Sequence, residues 1–166
     1  IADKASSLIP LSFDQAIGDM AMDVFVTESE VDPNKTKILN QFASELDLGN
    51  NIPLRFYVVN SDVVNAFALP NGDIVIFDGI LSTMESSDEL AALIGHEVAH
   101  VNERHGIRTL SRDFSSYMVI SLLLSDVQGI MSILIENAHL LNSLSYSRSF
   151  EIEADEYGLN MLFRNR

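Results

Sequence analysis

His96-Glu97-Val98-Ala99-His100 is the stretch of this 166-residue sequence whose residue types and spacing point most directly to chemistry. On a helix, residues four apart lie on one face, so both imidazoles can reach a single ion. Glu97, between them, can take a proton from an attacking water and later hand it to a leaving amine. The same pattern also occurs by chance on surface helices. A catalytic zinc site needs a third protein ligand and one position left open for water, so the test is whether that ligand exists elsewhere. With no cysteine in the chain, it must be another His or a carboxylate.

A third histidine six residues after His100 would complete one known arrangement, but that position is Gly106, and Glu103 stands where its glycine belongs. His105, one position short, is rotated away from the ligand face of a continuing helix and reads as a cation favoured by the negative end of the helix dipole. The remaining arrangement is two His and one Glu, and Glu151-Ile152-Glu153-Ala154-Asp155 can supply it. Glu151 and Asp155 share a helical face, so Glu151 can bind metal while Asp155 accepts the free ring N–H of a ligand histidine. Glu153 is expected to meet solvent or a cation. Alone, this acidic run is an ordinary solvated face; together with His96, Glu97 and His100 it completes a site. Imidazole and carboxylate donors in an open four-coordinate site favour Zn2+, without excluding cobalt or manganese.

Those side chains must be carried on particular elements. Ser86 and Glu89 form a Ser-x-x-Glu cap ahead of Leu90, Leu93, Ile94, Val98 and Val101, which predicts the active-site helix over about 87–105. A final helix over about 145–163 carries the acidic cluster. Apolar periodicity predicts two scaffold helices, one from Ser12 to about Thr27 and one from Asp32-Pro33 to Gly49. Between them and the active-site helix, 54–59 reads as a strand, and 63–69 and 74–77 as an antiparallel hairpin turning at Asn71-Gly72. The apolar run 110–144 reads as two helices or a helical hairpin, as core first and as a flap or docking face second. The expected fold is α+β: one mainly helical, zincin-like domain over 1–166 with a small three-stranded antiparallel or mixed sheet.

Composition narrows the partners. A formal net charge of −14, from 24 acidic and 10 basic side chains, gives no surface for gripping a phosphate backbone and is repelled by anionic lipid, so no nucleic-acid partner is expected. The most apolar run, 118–124, is far shorter than the roughly 20 residues of a membrane span. Membrane contact, if any, would be peripheral and apolar.

Three ordered blocks carry a specific resemblance: Asn65-Ala66-Phe67-Ala68 with Pro70 and Gly72; the run from Glu89 to His105; and Tyr146 through Asp155. They resemble the metallopeptidase family of HtpX, the CAAX prenyl endopeptidases and the periplasmic BepA-like proteins, across nearly the whole chain. The resemblance implies a zinc-dependent endopeptidase with Glu151 as third ligand. It also implies that the strand around Asn65 and Ala66 borders the cleft and pairs with an extended polypeptide. Unfolded or misassembled envelope proteins in a bacterial periplasm are the substrates it implies. Related enzymes continue past the last helix with a His or Arg that stabilises the oxyanion, so the chain reads as a domain truncated at its C-terminus, with Arg148 the nearby basic residue within the motif. The rival reading is a zinc-binding chaperone or assembly factor with latent or no proteolytic activity.

Overall fold

The computed structural model describes residues 9–113 and 145–165. Its elements, in chain order, are α1 (Leu11–Glu28), α2 (Pro33–Ser44), β1 (Arg55–Val59), β2 (Ala66–Ala68), β3 (Asp73–Phe77), α3 (Asp78–Leu81), α4 (Ser87–Asn102), α5 (His105–Asp113) and α6 (Arg148–Arg164). The architecture is the expected α+β, mainly helical with one three-stranded mixed sheet. The sequence expectation for 110–144 falls outside the described residues beyond Asp113. No helix among the described residues is long and apolar enough to cross a membrane.

Local signals account for two of the helix starts. Asp32 caps α2 by accepting from Asn34 N at 2.9 Å and Lys35 N at 3.0 Å, with Pro33 at the first helical position where no N–H is needed. Ser86 Oγ accepts from Glu89 N at 3.3 Å to start α4, while the Glu89 carboxylate accepts from Glu85 N rather than from the cap residue itself. Helix α1 begins at Leu11 behind Pro10 with no side-chain cap, one residue before the expected start at Ser12.

The sheet order is β1-β3-β2, with β1 parallel and β2 antiparallel to β3. The hairpin turns as expected, but only Gly72 adopts a positive φ (92°). Asn71 serves by hydrogen bonding instead: its Oδ1 accepts from Asp73 N at 3.1 Å and its Nδ2 donates to Asp73 Oδ2 at 2.7 Å. Alternation along the strands sends Phe67 and Val75 to one face and Ala68, Ile74 and Ile76 to the other. The first face packs against Ile17, Ala21 and Phe25 of α1 and Ile107 and Leu110 of α5. The second packs against Leu39 of α2, Ile94 and Val98 of α4, and Met161 of α6. Burial on both faces explains why β3 is apolar without a break from Ile74 to Phe77.

The predicted active-site helix ends three residues early. Arg104 takes a left-handed φ of 54°, and the chain restarts as α5 at His105. The guanidinium of Arg104 grips the buried Asp14 of α1 through Nε at 2.7 Å and Nη2 at 2.6 Å, and also donates to Ile9 O at 3.0 Å. This fork against a carboxylate holds a non-glycine residue in a conformation it rarely adopts.

Helices α4 and α6 come into tight backbone contact where both lack side chains. A Cβ on Gly95 would stand 2.9 Å from Gly158 Cα and 2.8 Å from Met161 Cε; one on Gly158 would stand 3.0 Å from Ala92 O. Alanine gains about 1 kcal/mol over glycine in a helix, but overpacking a tight contact costs about 1–3 kcal/mol. Gly95→Ala is therefore expected to lower the thermal unfolding temperature and, by displacing the helix that carries Glu151, to weaken metal binding. Calorimetry and a chelator-competition titration check this; unchanged values in both would mean that the crossing has room to spare.

Candidate metal centre

Helix α4 sets His96 and His100 one turn apart, with their Nε2 atoms 3.0 Å from each other. Glu151, in the first turn of α6, brings Oε2 to 3.5 Å from His96 Nε2. One donor atom from each of the three residues lies within 4.8 Å of the others. Donors about 2.0–2.1 Å from a tetrahedral zinc are separated by roughly 3.3 Å, which these spacings bracket. Two imidazoles and one carboxylate form a donor set of the right kind and number for such an ion, with a fourth position left open. The residues present fit the metal.

Burial tunes the same groups. His100 is buried, and desolvation, reinforced by His96 and His105, pushes its imidazole down to about 3. It is therefore neutral near pH 7, the state in which a nitrogen can bind a cation. Glu97 is only 5% exposed, and burial, together with the charge of Glu151, pushes its carboxyl up to about 8. A carboxyl of raised basicity suits a group that must accept a proton and then return it.

Asp155 lies one turn beyond Glu151 and places Oδ1 2.9 Å from His96 Nδ1, where it accepts the ring N–H and leaves Nε2 bare. Glu151 and Asp155 thus both lie on the face of α6 turned toward His96. His105 does not follow the sequence expectation. It is a fully buried residue held between two side chains, not an exposed helix-end residue: its Nδ1 lies 2.8 Å from His100 Nδ1 and its Nε2 lies 3.1 Å from Glu153 Oε2. Burial is the main force lowering its basicity, outweighing the hydrogen bond to Glu153. The break at Arg104 is the reason, because a continuous helix would have rotated position 105 away. Glu153 meets Arg108 Nη1 at 3.6 Å as well as His105, so it does face a cation. Tyr146, unassigned by sequence reasoning, stacks on His100 with ring centroids 4.1 Å apart; burial pushes its phenol well above the usual range. Arg148 is exposed at the start of α6 and does not line the cleft.

All of this opens on a cleft of about 570 Å³ whose floor holds His96, Glu97, His100 and Glu151. Val64, Asn65, Ala66 and Phe67 form one wall, and Ile80, Ala92 and Leu93 contribute apolar surface. Asn65 is exposed and Ala66 half-buried, and β2 is an edge of the sheet. Its outer main-chain groups are thus available to pair with an extended segment.

A helix bearing two imidazoles and an acid, a carboxylate from a second helix and a sheet edge thus meet at one cleft, with three side chains that could hold a metal ion. The chain belongs to peptidase family M48, whose model matches residues 30–166. It is 41% identical over 106 residues to the mitochondrial metalloendopeptidase OMA1 of Arabidopsis thaliana, covering 63% of this chain and 21% of that protein. It is 33% identical over 115 residues to the OMA1 of Schizosaccharomyces pombe, covering 68% of this chain and 34% of that protein. Similarity to a beta-barrel assembly-enhancing protease of Yersinia pestis is lower, 26% over 180 residues, but takes in 99% of this chain and 37% of that protein. The chain thus spans from about a fifth to just over a third of these relatives.

The shifted groups set the pH dependence of the metal-free fold. Glu97 is raised, so its contribution to stability is full below about 4.5 and is lost as pH rises through about 8. His100 is lowered, so its contribution is full above about 6.5 and is lost as pH falls toward about 3. In chelator, Glu97→Gln is expected to melt above wild type at pH 7–8, with the difference closing toward pH 4. A variant that never melts higher would contradict the buried, costly carboxylate.

Proposed function

We propose that this domain is a zinc-dependent endopeptidase in which His96, His100 and Glu151 hold the metal, Glu97 is the catalytic acid-base and Asp155 orients His96. The observation that carries the reading is the convergence of three donors of the right spacing from α4 and α6 beside a buried acid. When bound, zinc supplies Lewis acidity toward the scissile carbonyl and lowers the pKa of water. Glu97, in the floor of the cleft, receives the proton of the attacking water and passes it to the departing amine nitrogen, so that one carboxyl serves both halves of the reaction. Asn65 and Ala66 align the substrate by extending the sheet at β2, using main-chain hydrogen bonds that demand an extended polypeptide and read little of its sequence. The apolar wall formed by Ile80, Ala92 and Leu93 favours an apolar side chain beside the scissile bond.

Substrates that offer extended, apolar segments are unfolded or misassembled proteins. The relative named a beta-barrel assembly-enhancing protease aligns with almost the whole of this chain, which supports a place in quality control of the bacterial envelope, in the periplasm. The competing role, a zinc-binding chaperone or assembly factor, uses the same cleft without hydrolysis.

Metal content and casein degradation, measured on wild type, Glu97→Gln and Glu151→Gln, test the assignment. Glu97→Gln is expected to keep its zinc and lose about 10²–10⁴-fold in rate, whereas Glu151→Gln loses zinc affinity and activity together. Zinc-loaded wild type that cleaves nothing but suppresses aggregation of unfolded protein would transfer the assignment to the chaperone role. Cleavage is also expected to fall as pH drops and Glu97 is held protonated; a profile flat down to pH 4 would remove Glu97 from the proton path.

A further inference from the structure

A histidine binds a cation through one bare ring nitrogen, and the hydrogen bond made by the other nitrogen decides which one is bare. For His96 that partner is a carboxylate, Asp155. For His100 it is a second imidazole: His100 Nδ1 and His105 Nδ1 face each other at 2.8 Å, so one must donate and the other accept. The far side of His105 settles which. Its Nε2 lies 3.1 Å from Glu153 Oε2, and an ionised carboxylate can only accept. A neutral His105 therefore carries its proton on Nε2, leaves Nδ1 bare, and receives the Nδ1–H of His100. The Nε2 lone pair of His100 then points toward His96 Nε2, 3.0 Å away, where the donors converge. The opposite order would set a bare His105 nitrogen against the Glu153 carboxylate. Arg108 lies 3.6 Å from Glu153, and Phe150, stacked at 4.2 Å and 10°, holds the His105 ring in plane.

We propose that His105 and Glu153 are positioning residues forming a proton-ordered relay, His100 to His105 to Glu153, that fixes the metal-binding tautomer of His100. The proposal rests on the reading of His100 as a ligand. The experiment uses the whole chain. Long-range proton–nitrogen spectra of the metal-free protein report which ring nitrogen of His100 is protonated, and competition with a chromophoric chelator gives the zinc affinity.

Wild type is expected to show the Nδ1–H form. His105→Phe, which keeps a ring against Phe150 but removes the acceptor, should populate Nε2–H and weaken zinc by about 10–100-fold. His105→Asn, whose Oδ1 can stand near the lost Nδ1, should recover most of that affinity. At the surface position, Glu153→Ala should weaken zinc by about 2–10-fold, while Glu153→Gln, which retains an acceptor oxygen, stays near wild type. The Glu153 pair decides the matter even if the buried variants fail to fold. An Nε2–H wild type, or equal affinities for Glu153→Ala and Glu153→Gln, would overturn the relay. His100→Ala separates the two readings: if zinc affinity ignores it, the ligand assignment fails; if affinity depends on it while the tautomer never changes, only the relay fails.

Discussion

The site depends on two helices coming closer than ordinary side chains permit. Gly95 sits immediately before His96, and Gly158 lies two turns beyond Glu151 on the same face of α6. Their contact therefore sets the distance between the first and third donors directly. Ala154, fully buried, continues this small-residue seam toward the site. Glycine is a poor helix residue, so its presence in both helices trades intrinsic helix stability for backbone approach. Anchoring comes from the sheet face below, where Ile94 and Val98 of α4 and Met161 of α6 share one cluster with Ile74 and Ile76.

Within that frame, polar groups are buried at a cost. A neutral His100 and a carboxyl of raised basicity at Glu97 both follow from desolvation, the leading cause in each case. A metal-free pocket of this kind is electrostatically unfinished. A divalent cation among the three donors favours the ionised form of Glu97 and gives the bare imidazole nitrogens a partner. The outer hydrogen bonds differ in kind, a carboxylate behind His96 and an imidazole behind His100, yet both leave Nε2 without a proton.

The remainder of the fold serves placement. The parallel pairing of β1 with β3 leaves β2 at the edge next to α4, so the cleft has main-chain hydrogen-bonding groups along one wall. The ion pair between Arg104 and Asp14 ties α1 to the end of the active-site helix and holds the turn that returns His105 toward His100. An interaction well removed from the donors thereby governs the orientation of one of them.

Periodicity and spacing alone made much of this legible. The turn-apart placement of His96 and His100, the shared face of Glu151 and Asp155, the caps at Asp32 and Ser86 and the hairpin at Gly72 all follow from local geometry, because a helix repeats every 3.6 residues and a strand every two. Resemblance in three blocks added the expectation that the strand around Asn65 and Ala66 borders the cleft. Contacts between segments distant in the chain were not legible in this way. Nothing local marks Arg104 as a helix break, since its left-handed backbone is sustained by Asp14, 90 residues earlier. His105 consequently read as a surface cation, although the fold buries it between His100 and Glu153. The stacking of Tyr146 on His100 likewise depends on how the helices meet. Local rules state which way a side chain leaves its own element; what it meets there depends on the packing of the other elements, and only the tertiary structure determines that.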